Sequence, residues 1–84
     1  MKRRSIRWSR KAQCEFNKLE ISIANRILER IVSLTHDLDN IKALKGKWAN
    51  HYRCAVGQWR VIFELKDSDI IIKTVGHRSK IYKT

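Results

Sequence analysis

The basic residues of the C-terminal half sit at spacings suited to gripping a phosphate. Arg53, Arg60, Lys73 and Arg78 fall where apolar and polar residues alternate, and alternate residues of a strand share a face. His77 precedes Arg78, and Tyr82 follows four residues later. A guanidinium presents a planar fork to phosphate oxygens and keeps its charge at any working pH. An imidazole exchanges protons near neutrality. Together these groups describe a phosphate-binding concavity with side chains able to move protons, bordered by Lys45 and Lys47. Metal chemistry has no comparable support. Glu64 is the one carboxylate on the strand face of the arginines, and Asp67 and Asp69 fit a turn. Cys14 and Cys54 lack a neighbouring Cys or His at ligand spacing. No metal and no cofactor is expected, and both cysteines read as small buried hydrophobes.

The elements that would position these residues follow from periodicity. Gly57-Gln58 has the composition of a two-residue type II′ turn. It pairs Val56 with Trp59, Ala55 with Arg60, Cys54 with Val61 and Arg53 with Ile62. Tyr52, Cys54, Val56, Trp59, Val61 and Phe63 then share one face and Arg53 and Arg60 the other, as diagonal neighbours about 7–8 Å apart. After a turn at Lys66–Asp69, Leu65 faces Ile70, so Ile62 faces Lys73 and Arg60 faces Val75. His77, Arg78 and Tyr82 emerge just beyond Arg60. Like charges on adjacent sheet positions repel unless an anion lies between them.

Upstream, Ile6 and Trp8 alternate with Arg7 and Ser9 as in a short strand. Ser9 is placed to cap a helix carrying Ala12, Phe16 and Leu19. A second helix begins near Ser22, with Ile23, Ile27, Ile31 and Leu34 in a stripe that Ala24, Leu28 and Val32 widen. His36 to His51 reads as loop, tacked down by Ile41, Leu44 and Trp48. The expected fold is α+β: a short N-terminal strand, a helical hairpin, then a three-stranded antiparallel meander, with the helices on one sheet face.

Composition agrees. The 84 residues suffice for one domain, 1–84. Lys and Arg number 19 against 8 acidic residues, a net charge of +11, and the hydrophobic fraction of 43% is too high for simple disorder. Such a charge on a folding domain points to a polyanionic or acidic partner. No apolar run approaches the roughly 18 residues that span a bilayer, and no signal-peptide core follows Met1–Trp8. A cytoplasmic protein without membrane contact is the expectation. Plainer roles exist for each residue. Arg53 and Arg60 could be a solvated sheet face, His77 a loop histidine, Tyr82 a ring packed on the sheet, and Lys45 and Lys47 solubilising charges.

The motifs Leu44-Lys45-Gly46, Tyr52-Arg53, Gly57-Gln58-Trp59-Arg60-Val61-Ile62-Phe63, Val75-Gly76-His77-Arg78 and Tyr82, in this order, resemble those of the RelE/ParE toxins of toxin–antitoxin pairs. The likeness covers nearly the whole chain. It implies a RelE-like fold and a ribosome-dependent endoribonuclease that cuts mRNA in the ribosomal A site without a metal. Arg60 and Arg78 would then stabilise charge on the phosphoryl group, and Tyr82 would transfer protons with His77 as a second acid or base. Arg53 would contact the RNA backbone, with Lys45, Lys47 and Lys73 as further contacts. An acidic antitoxin in a hetero-oligomer is the implied partner. The chain departs from the pattern at Ala55, where RelE proteins often carry a second basic residue, and it stops just after Tyr82, with no C-terminal helix. The alternative is a ParE-like gyrase inhibitor or a non-catalytic antitoxin-binding relative.

Overall fold

The computed structural model describes residues 4–81. Strand β1 (Ser5–Trp8) leads into helices α1 (Arg10–Asn17) and α2 (Ile21–Ser33), followed by strands β2 (Ile41–Ala43), β3 (His51–Val56), β4 (Trp59–Lys66) and β5 (Asp69–His77). The strands form one sheet in the order β1-β5-β4-β3-β2. β1 runs parallel to β5, and the other pairs are antiparallel. The α+β class, the helical hairpin and the β3–β4–β5 meander are as expected. The sheet is wider than expected by β2, which lies in the supposed loop. Three residues are too few for a period-two signal, and the strand forms because Ile41, Lys42 and Ala43 pair with Cys54, Arg53 and Tyr52 on the edge of β3.

Ser9 ties the first helix to the sheet. Its side chain accepts the Ala12 amide at 3.1 Å, the N-cap bond, and its hydroxyl donates to the Lys73 carbonyl at 3.0 Å. β1 pairs with β5 only as far as Ile72. Beyond that point α1 guards the edge: Glu15 Oε1 accepts from the Val75 amide at 3.0 Å and from Thr74 Oγ1 at 2.7 Å.

The main core lies between the helices and one sheet face. Ala12, Ile27, Ile31 and Leu34 meet Cys54, Val61, Phe63, Ile70, Ile72 and Val75 there. The α2 stripe is narrower than the sequence suggests, for Leu28 and Val32 are 41% and 46% exposed. A helix laid on one sheet buries only the side facing it, and among the described residues nothing packs over the flank that carries these two. Cys14 is also exposed, contrary to expectation. It lies two residues from buried Ala12, about 200° round the helix.

Cys54 is buried as expected, and burial pushes its thiol up to about 11, against a partial pull downward from the charges of Arg30 and Arg60. The sign of its effect on stability follows. Below about pH 9 both folded and unfolded chains hold the proton. Between there and 11 the unfolded chain releases it while the folded one keeps it, so stability falls as pH rises. The loss across that window is on the order of 2–3 kcal/mol. Urea unfolding from pH 8 to 11 should therefore show a steeper decline for the native sequence than for Cys54→Ala; parallel curves would assign the decline to other groups.

The β3–β4 register is the expected one, from Val56 opposite Trp59 to Arg53 opposite Ile62. Gly57 has φ +59°, as the first position of a type II′ turn demands. Gly57→Ala should cost about 1–2 kcal/mol, because an L side chain is strained there. It should lower the urea midpoint without altering the slope. The new Cβ would stand 3.2 Å from Arg26 Nη2, a flexible end that can move aside, so backbone strain dominates.

The β4–β5 register departs from expectation. Leu65 faces Ile70 as foreseen, but a bulge follows, with Phe63 opposite Ile72 and Ile62 opposite Thr74. Lys73 is the extra residue. Every later position slips by one, so Arg60 faces Gly76, Val61 faces Val75 and Trp59 faces His77.

Candidate functional site

On the sheet face away from the helices, the register sets Lys42 beside Arg53, Arg53 beside Ile62, and Arg60 beside Gly76. Arg78 begins where β5 ends, and its amide donates to the Gln58 carbonyl at 2.8 Å. Arg78 itself is an exposed turn residue, one position past the end of β5. Lys42, Arg53 and Arg60 thus share this face, descending diagonally, and Arg78 follows at the end of β5, beyond Gly76 opposite Arg60. Ala55 lies opposite Arg60 and leaves room in front of it.

The floor of this face is drier than an open sheet. Ile62, in the row between Arg53 and Thr74, is completely covered, yet it is not part of the core beneath the helices. Arg53 and Arg60 are themselves half-buried. Charges above a low-dielectric floor act on an anion more strongly than charges in bulk water. Arg60 is also held in place, with Nη1 donating to the carbonyls of Gly57 at 2.9 Å and Trp59 at 2.8 Å. That fixes the guanidinium at the β3–β4 turn. Among the described residues, no carboxylate lies within ion-pair distance of Lys42, Arg53, Arg60 or Arg78, whereas Arg7 pairs with Asp69 at 3.5 Å.

The other expected site residues are placed differently. His77 does not join the arginines. The bulge at Lys73 turns it to the helix-covered face, where its ring meets Trp59 edge-on at 5.4 Å. A one-residue slip reverses the face of every later side chain, and the expected convergence fails for that reason. His77 Nδ1 accepts the Ser79 amide at 3.2 Å and lies 2.8 Å from Ser79 Oγ, which puts the proton of the neutral ring on Nε2. The ring borders a cavity of about 380 Å³ with Lys11, Glu15, Trp59 and Lys80. Lys73, as the bulge residue, loses its place opposite Ile62. Lys45 and Lys47 flank and enter the 3-10 turn Gly46–Trp48, before the start of β3. The length of β3, roughly 17–20 Å at about 3.3 Å per residue, separates them from the Gly57-Gln58 turn. Tyr82 lies outside the described residues. The chain before it turns back, with the Ile81 amide on the His77 carbonyl at 3.0 Å.

Lys42 is the basic residue that sequence reading missed, because the three residues of β2 carry no period-two signal. The displaced register did leave a trace. Core positions in β5 run Ile70, Ile72, then Val75, a change of parity across the adjacent polar pair Lys73-Thr74. Ile71 hides it by making the apolar run continuous.

Similarity to known proteins fits this geometry. Solved structures share the fold: the RelBE2 toxin–antitoxin complex of Mycobacterium tuberculosis has a chain 23% identical, with a TM-score of 0.84 over 95% of this chain and 97% of that one. The RelB–RelE antitoxin–toxin complex of Methanococcus jannaschii gives 27% identity and a TM-score of 0.73 over 90% and 94%. The chromosomal ParDE system of P. aeruginosa gives 14% and 0.72 over 88% and 95%. No curated protein matches. The family described as ParE toxin of type II toxin–antitoxin system, parDE, matches residues 6–82. With nearly the whole sequence matched, the chain belongs to that family and is a type II toxin of the RelE/ParE superfamily.

Proposed function

We propose that this toxin is a metal-independent endoribonuclease that cuts mRNA in the ribosomal A site and is held in check by an acidic antitoxin. The observation that carries the reading is the diagonal of Lys42, Arg53 and Arg60 on one sheet face, with Arg78 just past the end of β5, and no carboxylate partner for any of them among the described residues. In the proposed reaction a ribose 2′-oxygen attacks the adjacent phosphorus and gives up its proton to a base. The P–O5′ bond breaks and the departing oxygen takes a proton from an acid. The products are a 2′,3′-cyclic phosphate and a 5′-hydroxyl. Arg60 and Arg78 stabilise the charge that builds on the non-bridging oxygens, and Arg53 with Lys42 holds the flanking backbone. Tyr82 is the candidate for proton transfer on this chain, since His77 lies on the other face. The ribosome supplies orientation of the RNA, so the toxin need only complete the site.

The antitoxin follows from charge and from the relatives. The RelBE2 and RelB–RelE structures are toxin–antitoxin complexes, and a chain of net charge +11 favours an acidic partner. Binding such a partner stabilises a small fold by mass action.

One observation favours a second reading, inhibition of DNA gyrase: the matching family is that of ParE toxins. Mapping of RNA 5′ ends after induction, with and without translation, separates the two. Ribonuclease action gives new 5′-hydroxyl ends within translated codons only. Gyrase inhibition gives DNA damage signalling and no new RNA ends.

A further inference from the structure

A groove of about 350 Å³ opens between α2 and the end of β3, lined by Arg26, Glu29, Arg30, Ala55, Val56 and Gly57. It exists because β2 covers β3 only as far as Cys54, leaving the sheet edge open at Ala55 and Val56. Arg26 heads the groove, its Nη2 3.2 Å from where a Cβ on Gly57 would stand. A side chain at position 57 would crowd that approach. Arg60 Nη1 grips the carbonyl of the same glycine at 2.9 Å. A guanidinium from β4 therefore binds this turn residue, and one from α2 lies over the space its missing side chain leaves. The backbone of Arg78 is anchored to the next residue, Gln58.

Arg26 has a natural local partner and does not take it. Glu29 lies three residues along the same helix, the spacing of an ordinary intrahelical ion pair. Yet no carboxylate among the described residues lies within ion-pair distance of Arg26. Arg30 adds charge but has committed donors, Nη1 to Ser33 Oγ at 3.0 Å and Nη2 to the Asp39 carbonyl at 2.7 Å. The result is a positive groove with small side chains on its sheet side and one uncommitted guanidinium at its mouth. It continues the basic face around the hairpin turn.

We propose that this groove holds a backbone phosphate of a single-stranded nucleic acid, next along the strand from the linkage gripped at Arg60 and Arg78, with Arg26 as its ligand. The proposal rests on the phosphate-binding reading of the sheet face and extends it to a second element. The shared chemistry is the phosphodiester, and RNA and DNA are its two sources.

The test is fluorescence anisotropy of the purified full chain with a short dye-labelled single-stranded RNA, and with DNA of the same sequence, over a range of salt concentrations and without ribosomes. Arg26→Ala should weaken binding about fivefold and flatten the plot of log affinity against log salt by about 0.7, the value of one phosphate contact on a single strand. Lys18→Ala, which removes an exposed charge at the C-terminal end of α1, should leave the slope unchanged. Arg26→Lys should restore the slope, and Glu29→Gln should tighten binding. Equal effects on RNA and DNA assign the contact to the phosphodiester alone; an effect confined to one names that backbone as the ligand. A wild-type slope for Arg26→Ala overturns the proposal, as does a variant that keeps its nucleic-acid binding and loses only binding to an acidic protein partner. Failure of the ribonuclease reading would look different: no new RNA ends in cells, whatever the slope.

Discussion

On the proposed ribonuclease reading, replacing Arg60 by alanine is expected to lower RNA cleavage by about a hundredfold to a thousandfold, and the Arg60→Ala, Arg78→Ala double variant by more. Removing one preorganised donor from a developing oxyanion typically costs on the order of 10²–10³ in rate. Arg60 fits that description because Nη1 donates to two backbone carbonyls, which holds the guanidinium in place and leaves Nη2 and Nε to donate. Arg78 is anchored at the same end of the sheet through its backbone. Arg60 lies on the sheet face away from the helices and Arg78 is exposed in the turn after β5, so their loss should leave the fold intact. Single-turnover cleavage on programmed ribosomes measures the rate, and circular dichroism with urea unfolding controls for folding. A double variant that cuts at the native rate would remove these arginines from the mechanism. Arg60→Lys should recover only part of the activity, since an ammonium cannot reproduce the fork.

The second large effect is on stability. Phe63→Ala should cost about 3–5 kcal/mol. The ring is completely covered, sits opposite Ile72 and Tyr52 in the sheet, and stacks on Tyr52 with centroids 6.0 Å apart. Small domains rarely have more than about 3–5 kcal/mol in a single core, so this variant should lose most of its cooperative unfolding transition. The measurement is the urea midpoint of the purified chain, followed by near- and far-ultraviolet circular dichroism. A midpoint close to that of the native sequence would mean that the ring is not packed as described. A partner that binds the folded state should restore the transition, raising stability with the logarithm of its free concentration above its dissociation constant. That response would separate a loss of stability from a loss of the binding surface.

Much of this was written locally. The β3–β4 hairpin followed from strict alternation around a glycine suited to φ above zero, and it fixed Arg53 and Arg60 on one face and Val61 and Phe63 on the other. Ser9 as a helix cap, the isoleucine stripe of α2 and the start of the second turn at Leu65 opposite Ile70 were equally local. Tertiary pairing decided the rest. β2 exists only because the edge of β3 was available, and it brought Lys42 to the face of Arg53. The parallel partnership of β1 with β5 joins residues more than sixty positions apart, beyond the reach of any periodicity. Leu28 and Val32 match the apolar spacing of α2 but stay exposed, since the sheet reaches only one side of the helix. The bulge at Lys73 arises where α1 takes over from β1 along the edge of β5. Shifting the strand by one residue kept Val75 in the core, seated Gly76 beside Arg60 and carried His77 to the opposite face. The sequence alone settled which residues alternate; only the packed sheet settled the parity with which they do so, because a one-residue slip between strands conserves local pattern while exchanging the two faces.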